Sequence, residues 1–170
     1  TDRVQITVVP PSYLPDGLTL YRGEETTFTG VNDHVVLPHD DAYLLNDGAV
    51  AFWFKADNTN IRQGLFSKDS SGYDDGGHLS ISVEPDGTVH ARLQGVSGTH
   101  TVASSGQVSA GVWTHVAVNF GTSGLQLYLD GQLEASDAYT GGLGTSSGGS
   151  GNREPIVLGA ASWISGDLQA

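Results

Sequence analysis

The sequence predicts an all-β fold, a two-sheet antiparallel β-sandwich, and three observations carry that reading. Apolar and polar residues alternate with period two in several short runs, while no run of ten or more residues shows an i, i+3, i+4 apolar stripe. Glycine supplies 24 of the 170 residues, about twice the usual share, which points to many turns or loops. The strand-like runs recur at spacings near ten residues, and a strand with one apolar face is stable only when a second sheet covers that face.

Thr1 to Val9 reads as a strand through Val4, Ile6 and Val8, ended by Pro10-Pro11. Residues 1–11 are therefore an N-terminal strand or the tail of a preceding domain, and residues 12–170 form the main domain. His39 to Asp47 has room for a single helical turn. Val50, Phe52, Phe54 and Ala56 alternate with Ala51, Trp53 and Lys55, and Leu79, Ile81 and Val83 alternate with Ser80 and Ser82. After the turn Pro85-Asp86-Gly87 the alternation resumes as Val89, Ala91 and Leu93 against His90, Arg92 and Gln94. The result is a hairpin with one apolar and one polar face. Val112 to Phe120, then Leu125, Leu127 and Leu129, the turn Asp130-Gly131, and Leu133 with Ala135 predict a second hairpin. Trp53 and Trp113 lie inside strands and are assigned to the core. Thr140 to Asn152, rich in Gly and Ser, reads as a mobile loop.

Seven Lys and Arg against nineteen Asp and Glu give a formal charge of −12. That balance repels phosphate backbones and anionic lipid, which argues against nucleic acid and membrane surfaces as partners and favours cations. No apolar run approaches the roughly 18 residues of a membrane span. With no cysteine there are no disulfides, thiolate metal sites or cysteine nucleophiles. The chain also has no methionine, so residue 1 reads as an internal position of a longer protein.

Phe28-Thr29-Gly30-Val31-Asn32-Asp33-His34-Val35-Val36-Leu37-Pro38, Ala51-Phe52-Trp53-Phe54-Lys55, Leu65-Phe66-Ser67-Lys68-Asp69, Trp113-Thr114-His115-Val116-Ala117-Val118, Leu127-Tyr128-Leu129-Asp130-Gly131 and Ile156-Val157-Leu158-Gly159 follow one another in order. Together they resemble the concanavalin A-like lectin/glucanase (laminin G-like) jelly-roll family over residues 20–160. The resemblance implies a two-sheet jelly roll, an extracellular or cell-surface setting such as cell adhesion, a glycan or protein ligand, and Ca2+ near a rim of the sandwich. Such domains usually close with a strand resembling Gly-x-Ile-Asp-Asp-Val-x-x-Tyr. The present chain reaches Asp167-Leu168-Gln169-Ala170 without it. Either the strand Arg3 to Val9 fills that place, or a segment outside this chain completes the fold, or a sheet edge stays open to another chain. A further expectation follows, that a longer polypeptide or a complex with the missing segment is more stable.

Between Lys68 and Gly77 the carboxylates of Asp69, Asp74 and Asp75 gather on a glycine-containing loop. Ca2+ takes six to eight oxygen ligands, so this chemistry suits it, as does that of a solvated acidic turn. The resemblance places a second calcium candidate at Gly30 and Asp33, which are equally good turn residues. The six histidines form no His-x-His or His-x3-His pair, and His115 reads as a structural residue. On the polar face of the first hairpin, His90, Arg92, Gln94, Ser80 and Ser82 are placed to hydrogen-bond a saccharide, with Tyr73 or Tyr139 stacked on it; the alternative is a face left to water. Trp163 is either a sugar platform or packs on the missing strand.

Glycoside hydrolases on this fold carry their carboxylate pair as Glu-x-Asp-x-x-Glu or a close variant, and no such string occurs here. The adjacent pairs Glu24-Glu25, Asp40-Asp41 and Asp74-Asp75 would point to opposite faces of a strand. Gly-x-Ser-x-Gly and Gly-x4-Gly-Lys are also absent. The expected function is a non-catalytic recognition module of a larger secreted or surface protein, of bacterial type, binding carbohydrate or an extracellular protein. The alternatives are a structural or assembly domain completed by a strand from another segment, and an accessory domain of a polysaccharide-active enzyme.

Overall fold

A computed structural model describes residues 26–28, 33–69 and 76–160 in full, and the segments 4–7, 161–164 and 167–169 by their backbone. The strands in chain order are β1 (Val4–Thr7), β2 (Thr26–Phe28), β3 (Val35–Leu37), β4 (Gly48–Ala56), β5 (Gln63–Lys68), β6 (His78–Val83), β7 (Thr88–Gly95), β8 (Gly98–Gln107), β9 (Trp113–Phe120), β10 (Leu125–Leu129), β11 (Gln132–Asp137), β12 (Ile156–Leu158), β13 (Ala161–Ile164) and β14 (Asp167–Gln169). They form a first sheet in the order β11-β10-β9-β4-β1-β2, a second in the order β3-β12-β5-β6-β7-β8, and a two-stranded ribbon β13-β14. Neighbours pair antiparallel, so the chain is the two-sheet sandwich that its alternation predicts.

Alternation decides what is buried. On β4 and β9, Phe52 lies opposite Val116 and Phe54 opposite Thr114, and all four are buried. On β6 and β7, Leu79, Ile81 and Val83 face inward with Leu93, Ala91 and Val89 opposite them. These inner faces, with Leu125 and Leu127 of β10, build one continuous core. The hairpin turns also follow the sequence: Asp130 (φ 48°) and Gly131 (φ 80°) both take the positive φ that a tight two-residue turn demands. The helical turn expected within His39–Asp47 is a single 3-10 turn, Asp41–Tyr43, capped by the Asp40 carboxylate, which accepts from the Ala42 N–H.

The N-terminal strand β1 lies inside the first sheet, paired with β4 on one side (Ile6 opposite Phe54) and β2 on the other (Val4 opposite Phe28). The sheets are stitched along one seam, where the Glu134 carboxylate of β11 accepts from the Ser105 N–H (3.0 Å), the Ser105 hydroxyl (2.6 Å) and the Gly106 N–H (3.3 Å) of β8. Those donors hold its pKa below the ordinary carboxylate value. On the same seam the His100 ring stacks on Tyr139 at 3.9 Å.

Two expectations are corrected. Trp53 and Trp113 are not in the core: they stand on the outer face of the first sheet, Trp53 38% exposed and 5.2 Å from the His115 ring, and Trp113 beneath the Lys55 ammonium. With Phe52 and Phe54 committed inward, strand parity leaves Trp53 no other direction. Residues 140–152 are not a mobile loop either. Gly141 to Gly144, Ser147 and Asn152 are buried, and the Asn152 amide donates to the carbonyls of Lys68 and Gly77. Glycine serves close approach here, since a Cβ on Gly142 would collide with the Asn46 carbonyl.

Candidate functional site

Strand parity turns Ser80 and Ser82 of β6 and His90, Arg92 and Gln94 of β7 away from the core. Register then sorts them into rows: Thr101, Arg92 and Ser80 lie abreast across β8, β7 and β6, and His90 and Ser82 form the next row. Beyond that row Glu84, just past β6, meets Arg62, just before β5. All of these but Gln94, seven side chains, line one open hollow of about 220 Å3 on the outer face of the second sheet. Of the polar set read from the sequence, Ser80, Ser82, His90 and Arg92 line it, while Gln94 is buried and accepts from Arg92. Arg62, Glu84 and Thr101 were missed: Arg62 and Thr101 are joined to the set only through cross-strand neighbours, whereas Glu84 continues the alternation of Ser80 and Ser82 and accepts from the Ser82 hydroxyl.

The hollow is held by charge. Arg92 Nη2 donates to Asp69 Oδ2, Nη1 to Gln94 Oε1, and Nε to Ser80 Oγ at 3.5 Å. The Asp69 side chain is 1% exposed against 27% for Arg92, and its other oxygen lies 3.2 Å from His78 Nδ1. At the far end Glu84 Oε1 accepts from Ser82 Oγ (2.7 Å) and from Arg62 Nε (3.0 Å). The side chains of Arg62 and Glu84 are 43% and 20% exposed. Each carboxylate is paired with an arginine, and in both pairs the arginine side chain is the more exposed partner.

Asp69, read from the sequence as a calcium ligand, is thus buried in an ion pair with Arg92, read as a ligand contact. Asp33 is half-buried ahead of β3. Through β12, Val35 stands level with Phe66, which sets Asp33 roughly five residues from Asp69 along the strand direction, about 16 Å at ~3.3 Å per residue. Gly30, Tyr73, Asp74 and Asp75 lie outside the described residues. Among the described residues no group of three His, Asp or Glu is placed to share a metal ion. Trp163 falls on β13, whose side chains are not described. Tyr139, considered for sugar stacking, is stacked on His100 instead. His115 is half-buried against Trp53, on the opposite sheet from the hollow.

At the end of β5, Lys68 is buried, its Nζ donating to the Glu154 carbonyl (2.5 Å) and to His39 Nδ1 (3.3 Å). Loss of hydration lowers its pKa to about 8, against an opposing pull from Glu154. No helix among the described residues is long and apolar enough to cross a membrane.

A model of the concanavalin A-like lectin/glucanases superfamily matches residues 29–170. No curated protein matches the chain. Among solved structures, the chain is similar to the CBM40 of the Ruminococcus gnavus IT-sialidase bound to α2,3-sialyllactose, with a TM-score of 0.58 and 14% identity over 82% of this chain and 85% of that one. It is similar to domain 4 of AbnA, a GH43 extracellular arabinanase from Geobacillus stearothermophilus, in complex with arabinotriose (TM-score 0.55, 17% identity, 98% and 77% coverage). Mouse laminin α1 chain domains LG4-5 give a TM-score of 0.55 at 16% identity over 80% of this chain and 35% of that one. At such identities the likeness is one of fold.

Proposed function

The chain belongs to the concanavalin A-like lectin/glucanases superfamily, and from that premise we propose that it is a non-catalytic carbohydrate-recognition module of a secreted or surface protein. The observation that carries this reading is the hollow on the second sheet, where Thr101, Arg92, Ser80, His90 and Ser82 meet in two abreast rows with Arg62 beside them. Polar side chains converging in a concavity with fixed geometry suit a saccharide's many hydroxyls. Two neighbours of the same fold are solved with sugars, sialyllactose and arabinotriose, which supports carbohydrate as the ligand class. Both carboxylates at the hollow, Asp69 and Glu84, are paired with arginine, an arrangement that supports binding rather than acid and base chemistry on a glycosidic bond.

Thr101→Trp tests the site, because an indole grown from an exposed position at the rim fills the hollow without touching the core. Glycan binding is lost while the melting temperature holds; binding that persists overturns the assignment. Calcium is a separate part of the proposal, resting on Asp33, Gly30, Asp74 and Asp75, and no step of sugar recognition passes through it. A rise in melting temperature on adding Ca2+, reversed by EDTA, is its test.

A second reading, an accessory domain of a polysaccharide-active enzyme, is favoured by the names of two neighbours, a module of a sialidase and domain 4 of an arabinanase. An adjoining catalytic sequence in the full polypeptide is the observation that decides for it.

A further inference from the structure

We propose that the saccharide taken by the hollow bears a carboxylate, an inference that rests on the carbohydrate reading above and specifies its ligand class. The chain has only seven Lys and Arg in a total charge of −12, yet Arg62 and Arg92 both line this one hollow. Their counterions are set behind them: Asp69 is 1% exposed against 27% for Arg92, and Glu84 20% against 43% for Arg62. Of the four charged side chains, the two arginines are thus the more exposed to a ligand arriving from solvent.

The hydrogen-bond inventory points the same way. Three carboxylate or amide oxygens around the hollow are already engaged: Gln94 Oε1 and Asp69 Oδ2 by Arg92, and Glu84 Oε1 by both Ser82 and Arg62. Donors are in surplus, because Arg92 places three N–H groups on Ser80, Gln94 and Asp69 and a guanidinium carries about five. A neutral sugar hydroxyl can donate as well as accept, whereas an ionised carboxylate only accepts and matches the planar fork of an arginine. Arg92 is already locked by its three partners, so little side-chain freedom is lost on binding. The hollow, about 220 Å3, lies below the roughly 300 to 1,000 Å3 of drug-sized pockets, a size for one sugar unit.

The test is calorimetric titration of the domain with two matched pairs: 3′-sialyllactose against lactose, and oligogalacturonate against its methyl ester. The acidic member of at least one pair is expected to bind about tenfold or more tightly than its uncharged counterpart, with Arg62→Gln, an exposed position, removing most of that preference. The preference should also shrink as salt rises. Arg92→Lys, which keeps the charge and loses the fork, should weaken the acidic ligand more than its uncharged counterpart. Equal affinity within both pairs, abolished by Thr101→Trp, overturns the acidic class and leaves the carbohydrate reading standing. Absence of binding to all four overturns both. An acidic preference untouched by Arg62→Gln and Arg92→Lys also overturns the proposal, since it places the charge recognition elsewhere.

Discussion

Arg92 of β7 lies over Asp69, the residue that follows β5, and the two form an ion pair in which the carboxylate is almost wholly buried and the guanidinium is not. The pair joins residues 23 positions apart across β6, with the arginine side chain the more exposed of the two. Removing the arginine alone leaves a buried carboxylate with the His78 ring as its remaining neighbour of opposite potential charge. Arg92→Leu is expected to cost about 3 to 5 kcal/mol in urea unfolding, and the double variant with Asp69→Asn to recover a large part of it. A double variant no more stable than the single one would show that Asp69 is not the partner that matters.

The outward position of Trp53 gives a contrast within one strand. Phe54 is fully buried opposite Thr114, so Phe54→Ala should destabilise by about 3 to 5 kcal/mol. Trp53→Ala, on the other face, should cost about 1 kcal/mol or less despite the larger deletion. Similar losses for both would contradict the inward parity assigned to β4.

Residues 140–152 supply a third test. Gly142→Ala forces a methyl group against the Asn46 carbonyl, backbone that cannot turn aside, and should lower stability by about 1 to 3 kcal/mol. Gly111→Ala, where a Cβ meets nothing but φ is 73°, should cost less. A neutral Gly142→Ala would restore the picture of a loose loop.

Lys68 predicts an unusual pH response. Its folded pKa of about 8 lies below its ordinary 10.5, so between these values the unfolded chain binds the extra proton and stability gained from this group rises with pH. Below pH 8 the buried ammonium is a standing penalty. Lys68→Met removes the penalty, so its stability relative to the natural protein should be greatest near pH 7 and should shrink toward pH 10. A gap independent of pH between 7 and 10 would mean that the ammonium is adequately solvated.

Much of the site is legible in the amino-acid order. Ser80, Ser82, His90 and Arg92 announce themselves by standing at alternate positions against Leu79, Ile81, Val89 and Ala91. Arg62 and Thr101 do not, since nothing in their local sequence says which strand lies beside them. The acidic loop illustrates the opposite error: Asp69 looks like its neighbours Asp74 and Asp75, yet register hands it to an arginine.

Local pattern is enough for the sandwich, its two hairpins and the polar face of β6 and β7, because strand parity and turn chemistry are properties of a few consecutive residues. It leaves open which aromatic side of β4 turns inward, whether a glycine-rich stretch is loose or closely packed, and which carboxylate neutralises Arg92. The assembled sheets settle these three, because each depends on atoms supplied by a strand distant in the chain, and burial and ion pairing are set by that neighbour rather than by the residues on either side.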